Sequence, residues 1–361
     1  MRSSSRFRDR AERAAVVALG RAPRRVQRLL AGPAPTSQGH ALEPEVGAAL
    51  RLLSMVPGND FEDLPLAEAR AQVDHEARLF GGPPLPMSRV RDLTIPTPTG
   101  GVPGRLYVAD EHDTNRLVVY FHGGGWVVGS LESADPVCRF LAAHSGVSVL
   151  SVDYRLAPEH PFPAAPDDAL AAFRYAVGEA EAWGHDPSRI GVAGDSAGGN
   201  LAAVVCQDLR TSDETRPAFQ LLFFPVTDLS DKRPSHAEFA DGYFLTEKQM
   251  DWYRGHYLAD AADTDPRVSP LLATDLAGLP PAYVAVSGFD VLRDEGVAYA
   301  QRLADAGVPV ALRRHGGLIH AFVNSVGVGR TGREAMLEAC GALRLGLGAG
   351  LSGSGLEYSG P

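Results

Sequence analysis

Ile190-Gly191-Val192-Ala193-Gly194-Asp195-Ser196-Ala197-Gly198-Gly199-Asn200 is the stretch that decides the reading. A short apolar run of β-branched residues gives way at Gly194 to an Ala-rich run with helical character. The two glycines flank Ser196 in a G-x-S-x-G pattern. A strand that turns sharply into a helix around a serine lifts the hydroxyl clear of the sheet and sets it at the helix N-terminus. Free N–H groups and the helix dipole favour developing negative charge there. The same pattern would also suit a plain Gly-rich turn. The strand on one side and the helix on the other give it chemical meaning.

The alternation continues outward from this turn. Apolar runs at 117–121, 147–153, 190–194, 219–225, 282–289 and 308–313 read as strands. The stretches 136–144, 167–181, 197–210, 295–306 and 334–345 read as helices, and 89–94 with 104–108 as a hairpin. Strands alternating with helices predict an α/β fold with a mostly parallel central sheet and helices on both faces. Continuous apolar strands fit burial on both sides. Residues 1–80 read as helical with proline breaks. Residues 228–265 interrupt the alternation with aromatics and charge and read as a helical insertion. The Gly-rich stretch 346–361 reads as a flexible tail.

Further residues supply chemistry. His122-Gly123-Gly124-Gly125-Trp126 follows the strand at 117–121. Consecutive glycines expose backbone N–H groups that suit an oxyanion. The spacing matches neither of the common phosphate-loop patterns. A serine nucleophile needs a base, and the base needs an orienting acid. His320, on a loop after the last predicted strand, is the leading base, with His315 the alternative. Asp290, at the C-terminal end of the strand 282–289, is the leading acid, with Asp228 the alternative. A metal pair of His315 and His320 lacks an acidic third ligand nearby.

Charge and cysteines bound the rest. The 361 residues carry a formal net charge of −10. Nine arginines and two acids give residues 1–30 a charge of +7, leaving −17 on the remainder. An acidic chain is a poor nucleic-acid binder, so no nucleic-acid partner is expected. The basic start reads as an amphipathic packing helix with Val16, Val17, Leu19, Val26, Leu29 and Leu30 on one face. Attachment to a membrane surface is the competing reading. No apolar run approaches a membrane span, so no stable membrane insertion is expected. Three scattered cysteines without a C-x-x-C motif point to a cytoplasmic location.

Together these residues resemble the hormone-sensitive-lipase-like family of α/β-hydrolase carboxylesterases, in its G-D-S-A-G-G branch. The resemblance spans about residues 85–345. It rests on His122–Trp126, Gly194–Asn200, Asp153-Tyr-Arg-Leu-Ala-Pro-Glu159, Pro161–Ala165, Asp290–Asp294 and His320-Ala-Phe322. It implies an α/β-hydrolase fold with a Ser196–His320–Asp290 triad. It also implies an oxyanion hole from the N–H groups of Gly124, Gly125 and Ala197. A cap would be drawn from residues 1–75 and 228–262, over a catalytic domain of residues 76–345. Trp126, Asp195 and Phe244 are expected to contact substrate, and Phe239, Tyr243 and Trp252 are further pocket candidates. The expected reaction is hydrolysis of short- to medium-chain acyl esters through a covalent acyl-enzyme, with no metal or other cofactor. An amidase, deacetylase or lactone hydrolase would use the same triad, and a non-catalytic binding protein would usually have lost part of it. The partner is a small-molecule ester, and a homodimer is compatible with the reading.

Overall fold

Eight strands form one twisted sheet, and its order explains where chemistry can occur. A computed structural model describes residues 13–14, 16–55, 61–110 and 115–348. A two-stranded ladder, β1 (Thr36–Ser37) and β2 (His40–Ala41), lies apart from the main sheet. The main strands are β3 (Arg89–Thr97), β4 (Gly100–Val108), β5 (Leu117–Phe121), β6 (Ser148–Val152), β7 (Ile190–Asp195), β8 (Gln220–Phe223), β9 (Ala282–Phe289) and β10 (Val310–Ile319). Their order is β10-β9-β8-β7-β5-β6-β4-β3. All pairings from β6 through β10 are parallel, and β3, β4 and β6 pair antiparallel. Strands β5 and β6 are buried at every position, as the unbroken apolar run of β5 predicts, and β6 buries Ser148 and Ser151 along with its apolar residues.

Helices cover both faces. On one side lie α5 (Ala164–Glu179), α6 (Ala197–Leu209) and α9 (Arg293–Asp305). On the other lie α4 (Leu131–Ser145) and α10 (Arg330–Gly348). Local sequence sets their ends. Ser130 caps α4 by accepting from the N–H groups of Glu132 and Ser133, and Gly146 closes it in a left-handed conformation.

Above the sheet sit α1 (Arg24–Ala31), α2 (Pro44–Leu53) and α3 (Leu66–Phe80), with α7 (Pro234–Glu238) and α8 (Glu247–Leu258) from the insertion. The two groups pack together. Phe61 packs against the rings of Trp252 and Tyr253, at 5.9 and 5.8 Å. Lys248 pairs with Asp63 at 2.7 Å, and Gln249 donates to Glu62 at 3.1 Å. Among the described residues no helix is long and apolar enough to cross a membrane.

Three sequence expectations change. The last strand does not stop at 313. It runs on to Ile319 through a bulge between His315 and Ile319, so His320 sits directly on a strand end. The N-terminal stretch is not one packing helix. Pro23, which has no N–H to donate, breaks it, and Val16 and Leu19 separate from Val26, Leu29 and Leu30. The latter three are exposed. Residues 346–348, expected in the flexible tail, belong to α10, which extends to Gly348 and buries Leu347. Residues 349–361 lie outside the described residues, as do 1–12 of the basic start.

Candidate active site

The carboxyl ends of β5, β7, β9 and β10 converge on one edge of the sheet. Each delivers one piece of a site.

Ser196 follows β7 with φ 55° and ψ −117°, a conformation that L-residues rarely adopt. Hydrogen bonds hold this strained turn. The Ser196 N–H donates to the Phe223 carbonyl at 2.9 Å, and the Ser196 carbonyl accepts from Asn200 and Val226. The flanking glycines are required by space. A Cβ on Gly194 would lie 2.3 Å from the Gly198 carbonyl, and one on Gly198 would lie 1.9 Å from the Phe121 carbonyl oxygen. Elbow and sheet are therefore in direct backbone contact.

His320 Nδ1 lies 2.8 Å from Asp290 Oδ2. The other oxygen of Asp290 accepts the Leu292 N–H at 3.0 Å. With Nδ1 donating to the carboxylate, Nε2 carries the lone pair a general base needs. Ser196, Asp290 and His320 are all buried. Ser196 and His320 line a common cavity of about 230 Å3.

The loop after β5 lies beside them. Gly124 and Gly125 take φ values of 110° and 58°. The Gly123 N–H donates to Asp195 Oδ1 at 2.9 Å, and that oxygen also accepts the Tyr120 hydroxyl at 2.5 Å. Gly125 cannot carry a side chain, since a Cβ there would fall 2.1 Å from the Tyr253 ring. Loop and α8 thus meet face to face. Tyr154 braces the loop from below by donating to the His122 carbonyl at 2.7 Å and stacking on the His122 ring. From above, Arg70 donates to the Val127 and Ala157 carbonyls and pairs with Glu159.

The substrate-contacting residues expected from sequence divide. Phe244 lines the cavity and is partly exposed. Asp195 borders the cavity, but its carboxylate is engaged by Tyr120 and Gly123. Burial pushes its pKa up, against the pull of the Tyr120 hydrogen bond. Its bonds tie the loop after β5 to the turn that carries Ser196. Trp126 is outside the cavity. Its ring stacks on Tyr257 at 4.0 Å and is almost fully buried, because the positive φ of 60° at Trp126 turns it into the protein. Phe239 and Tyr243 pack on Phe289, and Trp252 packs on Tyr253 and His256.

The alternatives for base and acid are occupied elsewhere. The His315 ring packs on Phe322 at 5.2 Å. Asp228 accepts from the Ser230 N–H and hydroxyl and caps its own turn.

Sequence reasoning missed Tyr120, Tyr253 and Arg293. Tyr120 and Tyr253 look like core aromatics in sequence, and only their neighbours give them a task. Arg293, buried at the start of α9 close to Asp290, donates to Ser37, Glu238 and Asp294. Its place in Asp290-Val-Leu-Arg-Asp294 was the available signal.

A family profile described as alpha/beta hydrolase fold matches residues 118–324. The chain is 41% identical over 327 residues to a carboxylic ester hydrolase, LipN, of Mycobacterium tuberculosis, covering 88% of this chain and 86% of the relative. It is 37% identical over 317 residues to an ethyl acetate hydrolase of Pseudomonas putida, covering 84% and 99%. Among solved structures it is similar to an ester-hydrolase from the metagenome of Lake Arreo. That match has a TM-score of 0.82 and 42% identity, and covers 85% of this chain and all of the other.

Proposed function

The chain belongs to the α/β-hydrolase fold family, in its hormone-sensitive-lipase-like branch of carboxylesterases, and from that premise we propose that Ser196, His320 and Asp290 act as its catalytic triad. It is a carboxylic ester hydrolase. One observation carries the assignment of residues: the paired His320–Asp290 opens onto the same cavity as Ser196 on its strained turn.

In this reading His320 takes the Ser196 proton as the hydroxyl oxygen attacks the ester carbonyl. Asp290 keeps His320 oriented and stabilises the imidazolium. The N–H groups of Gly124, Gly125 and Ala197 receive the oxyanion, each such donor being worth about 2.7–4 kcal/mol of barrier. His320 returns the proton to the leaving alcohol, and water then resolves the acyl-enzyme by the same route. The cavity of about 230 Å3 and its apolar wall, including Val73, Phe80 and Leu318, support short- to medium-chain acyl groups as substrates. The helical segments before residue 80 and between 228 and 262 form the cap in this reading. Three buried, unpaired cysteines support a cytoplasmic location. A homodimer is the assembly to test by size-exclusion chromatography.

The experiment is direct. Ser196→Ala should abolish hydrolysis of p-nitrophenyl butyrate, and a fluorophosphonate should label the parent protein at Ser196 alone. Undiminished turnover in the variant would reject the triad. Ester, amide and lactone substrates run side by side define the leaving groups accepted.

A further inference from the structure

Helix α1 is built the wrong way round for a helix that only packs on its own protein. Its single buried side chain is Gln27, whose amide donates to the Leu19 and Gly20 carbonyls. Its apolar residues face outward: Val26 and Leu30 are exposed, and Leu29 is 82% exposed. Leu52 and Met55, at the end of α2, are exposed as well. Five of the ten large apolar side chains that are exposed among the described residues therefore fall within residues 26–55. The C-terminal end of α1 packs on α2, since a Cβ on Gly47 would lie 3.1 Å from the Ala31 side chain and one on Gly32 would lie 3.0 Å from the Arg51 guanidinium.

The same surface carries arginine. Arg24 is held by Glu43. Arg21, Arg25, Arg28 and Arg51 are exposed beside the leucines. Exposed leucines alone would fit many partners, but leucines set among arginines on an otherwise acidic protein narrow the choice. A second copy docked by a two-fold axis would bring arginines against arginines. An anionic lipid surface answers both features, with phosphates for the guanidinium groups and acyl chains for the leucines.

The inner side of the same segment faces the catalytic cavity. Val16, Leu19, Leu50 and Leu53 contribute to its wall. Leu50 and Leu53 thus line the cavity while Leu52, on the same helix, points outward.

We propose that the outer face of α1 and the end of α2 is a peripheral docking surface for an anionic lipid bilayer. Leu29, Leu30 and Met55 enter the headgroup boundary, and Arg25, Arg28 and Arg51 pair with lipid phosphates. Docking there places one wall of the catalytic cavity next to the membrane. The proposal holds whatever ester the site accepts.

The test uses the full chain, sedimented with vesicles of phosphatidylcholine alone and of phosphatidylcholine with phosphatidylglycerol, at low and at high salt. The expected result is binding to the anionic vesicles only, weakened by salt. At about 1 kcal/mol for each arginine near such a surface, Arg25→Gln with Arg28→Gln should weaken binding about thirty-fold. Leu29→Ser with Leu30→Ser should weaken it as well. Both double variants should hydrolyse a water-soluble ester like the parent, which shows that they fold. Absence of binding to anionic vesicles, equal binding to both vesicle types, or parent-like binding by both variants would overturn the proposal. So would a dimer in solution that the same substitutions dissociate.

Discussion

Replacing Asp195 probes the proposed oxyanion loop without touching the proposed triad. One carboxylate oxygen accepts both the Tyr120 hydroxyl at 2.5 Å and the Gly123 N–H at 2.9 Å, and the pair of bonds ties the loop to the turn that carries Ser196. In Asp195→Ala both donors lose their buried acceptor. At about 1–3 kcal/mol for each stranded donor, the variant should lose roughly 2–6 kcal/mol of stability. Gly124 and Gly125 follow Gly123 directly, so their N–H groups move with it. A displacement of about 1 Å in catalytic groups costs on the order of a hundred-fold in rate, and kcat should fall by about that factor. Asp195→Asn keeps a carbonyl oxygen where both donors point. It should retain all but about 1 kcal/mol, the difference between a charged and a neutral acceptor. Guanidinium unfolding gives the stabilities, and steady-state kinetics on p-nitrophenyl butyrate separate kcat from KM. An Asp195→Ala protein with parent stability and parent kcat would refute the anchoring role. A raised KM at parent stability would instead make Asp195 a substrate ligand.

Three further outcomes follow from other contacts. Asp290→Asn should keep the fold but lower kcat by about 10^4, as loss of the acid does in serine triads, because the amide no longer selects the Nδ1–H tautomer of His320; kinetics with circular dichroism as a folding check measure this. Trp126→Ala should cost about 3–5 kcal/mol in denaturant unfolding by emptying the stack on Tyr257, with little change in KM, since the ring lies outside the cavity. Burial pushes His185 down to about 4 from an ordinary 6.5. The unfolded chain therefore takes up this proton first as pH falls. Stability from this group is complete above about 6.5, declines towards 4 and levels below it, by at most about 3 kcal/mol, and a His185→Gln variant should lack that part of the acid loss in unfolding titrations.

Much of the molecule is legible in one dimension because its determinants are local. Strands 117–121 and 282–289 are read to the residue, since each is a short apolar run bounded by chain-turning residues. The expected base and acid, His320 and Asp290, lie together because both follow strands whose carboxyl ends share an edge. The less legible parts depend on neighbours distant in sequence. Trp126 adjoins the glycine loop after β5 in sequence, yet backbone geometry turns it onto Tyr257, more than a hundred residues away. Tyr253 looks like one aromatic among many and becomes a wall of the cavity only through its packing on Gly125.

The order of motifs, the elbow around Ser196 and the alternation of strand and helix follow from the sequence alone, because steric exclusion and hydrophobic period act over a few residues. Which side chains line the cavity, which hold the loop after β5, and which leucines stay outside are decided only when separate segments meet. The N-terminal stretch shows the distinction best. Its composition announces a basic amphipathic helix, but only the fold determines that Val16 and Leu19 turn inward to the cavity while Leu29 and Leu30 turn out to solvent. The reason is that burial belongs to a surface and its partner together, and no residue carries it alone.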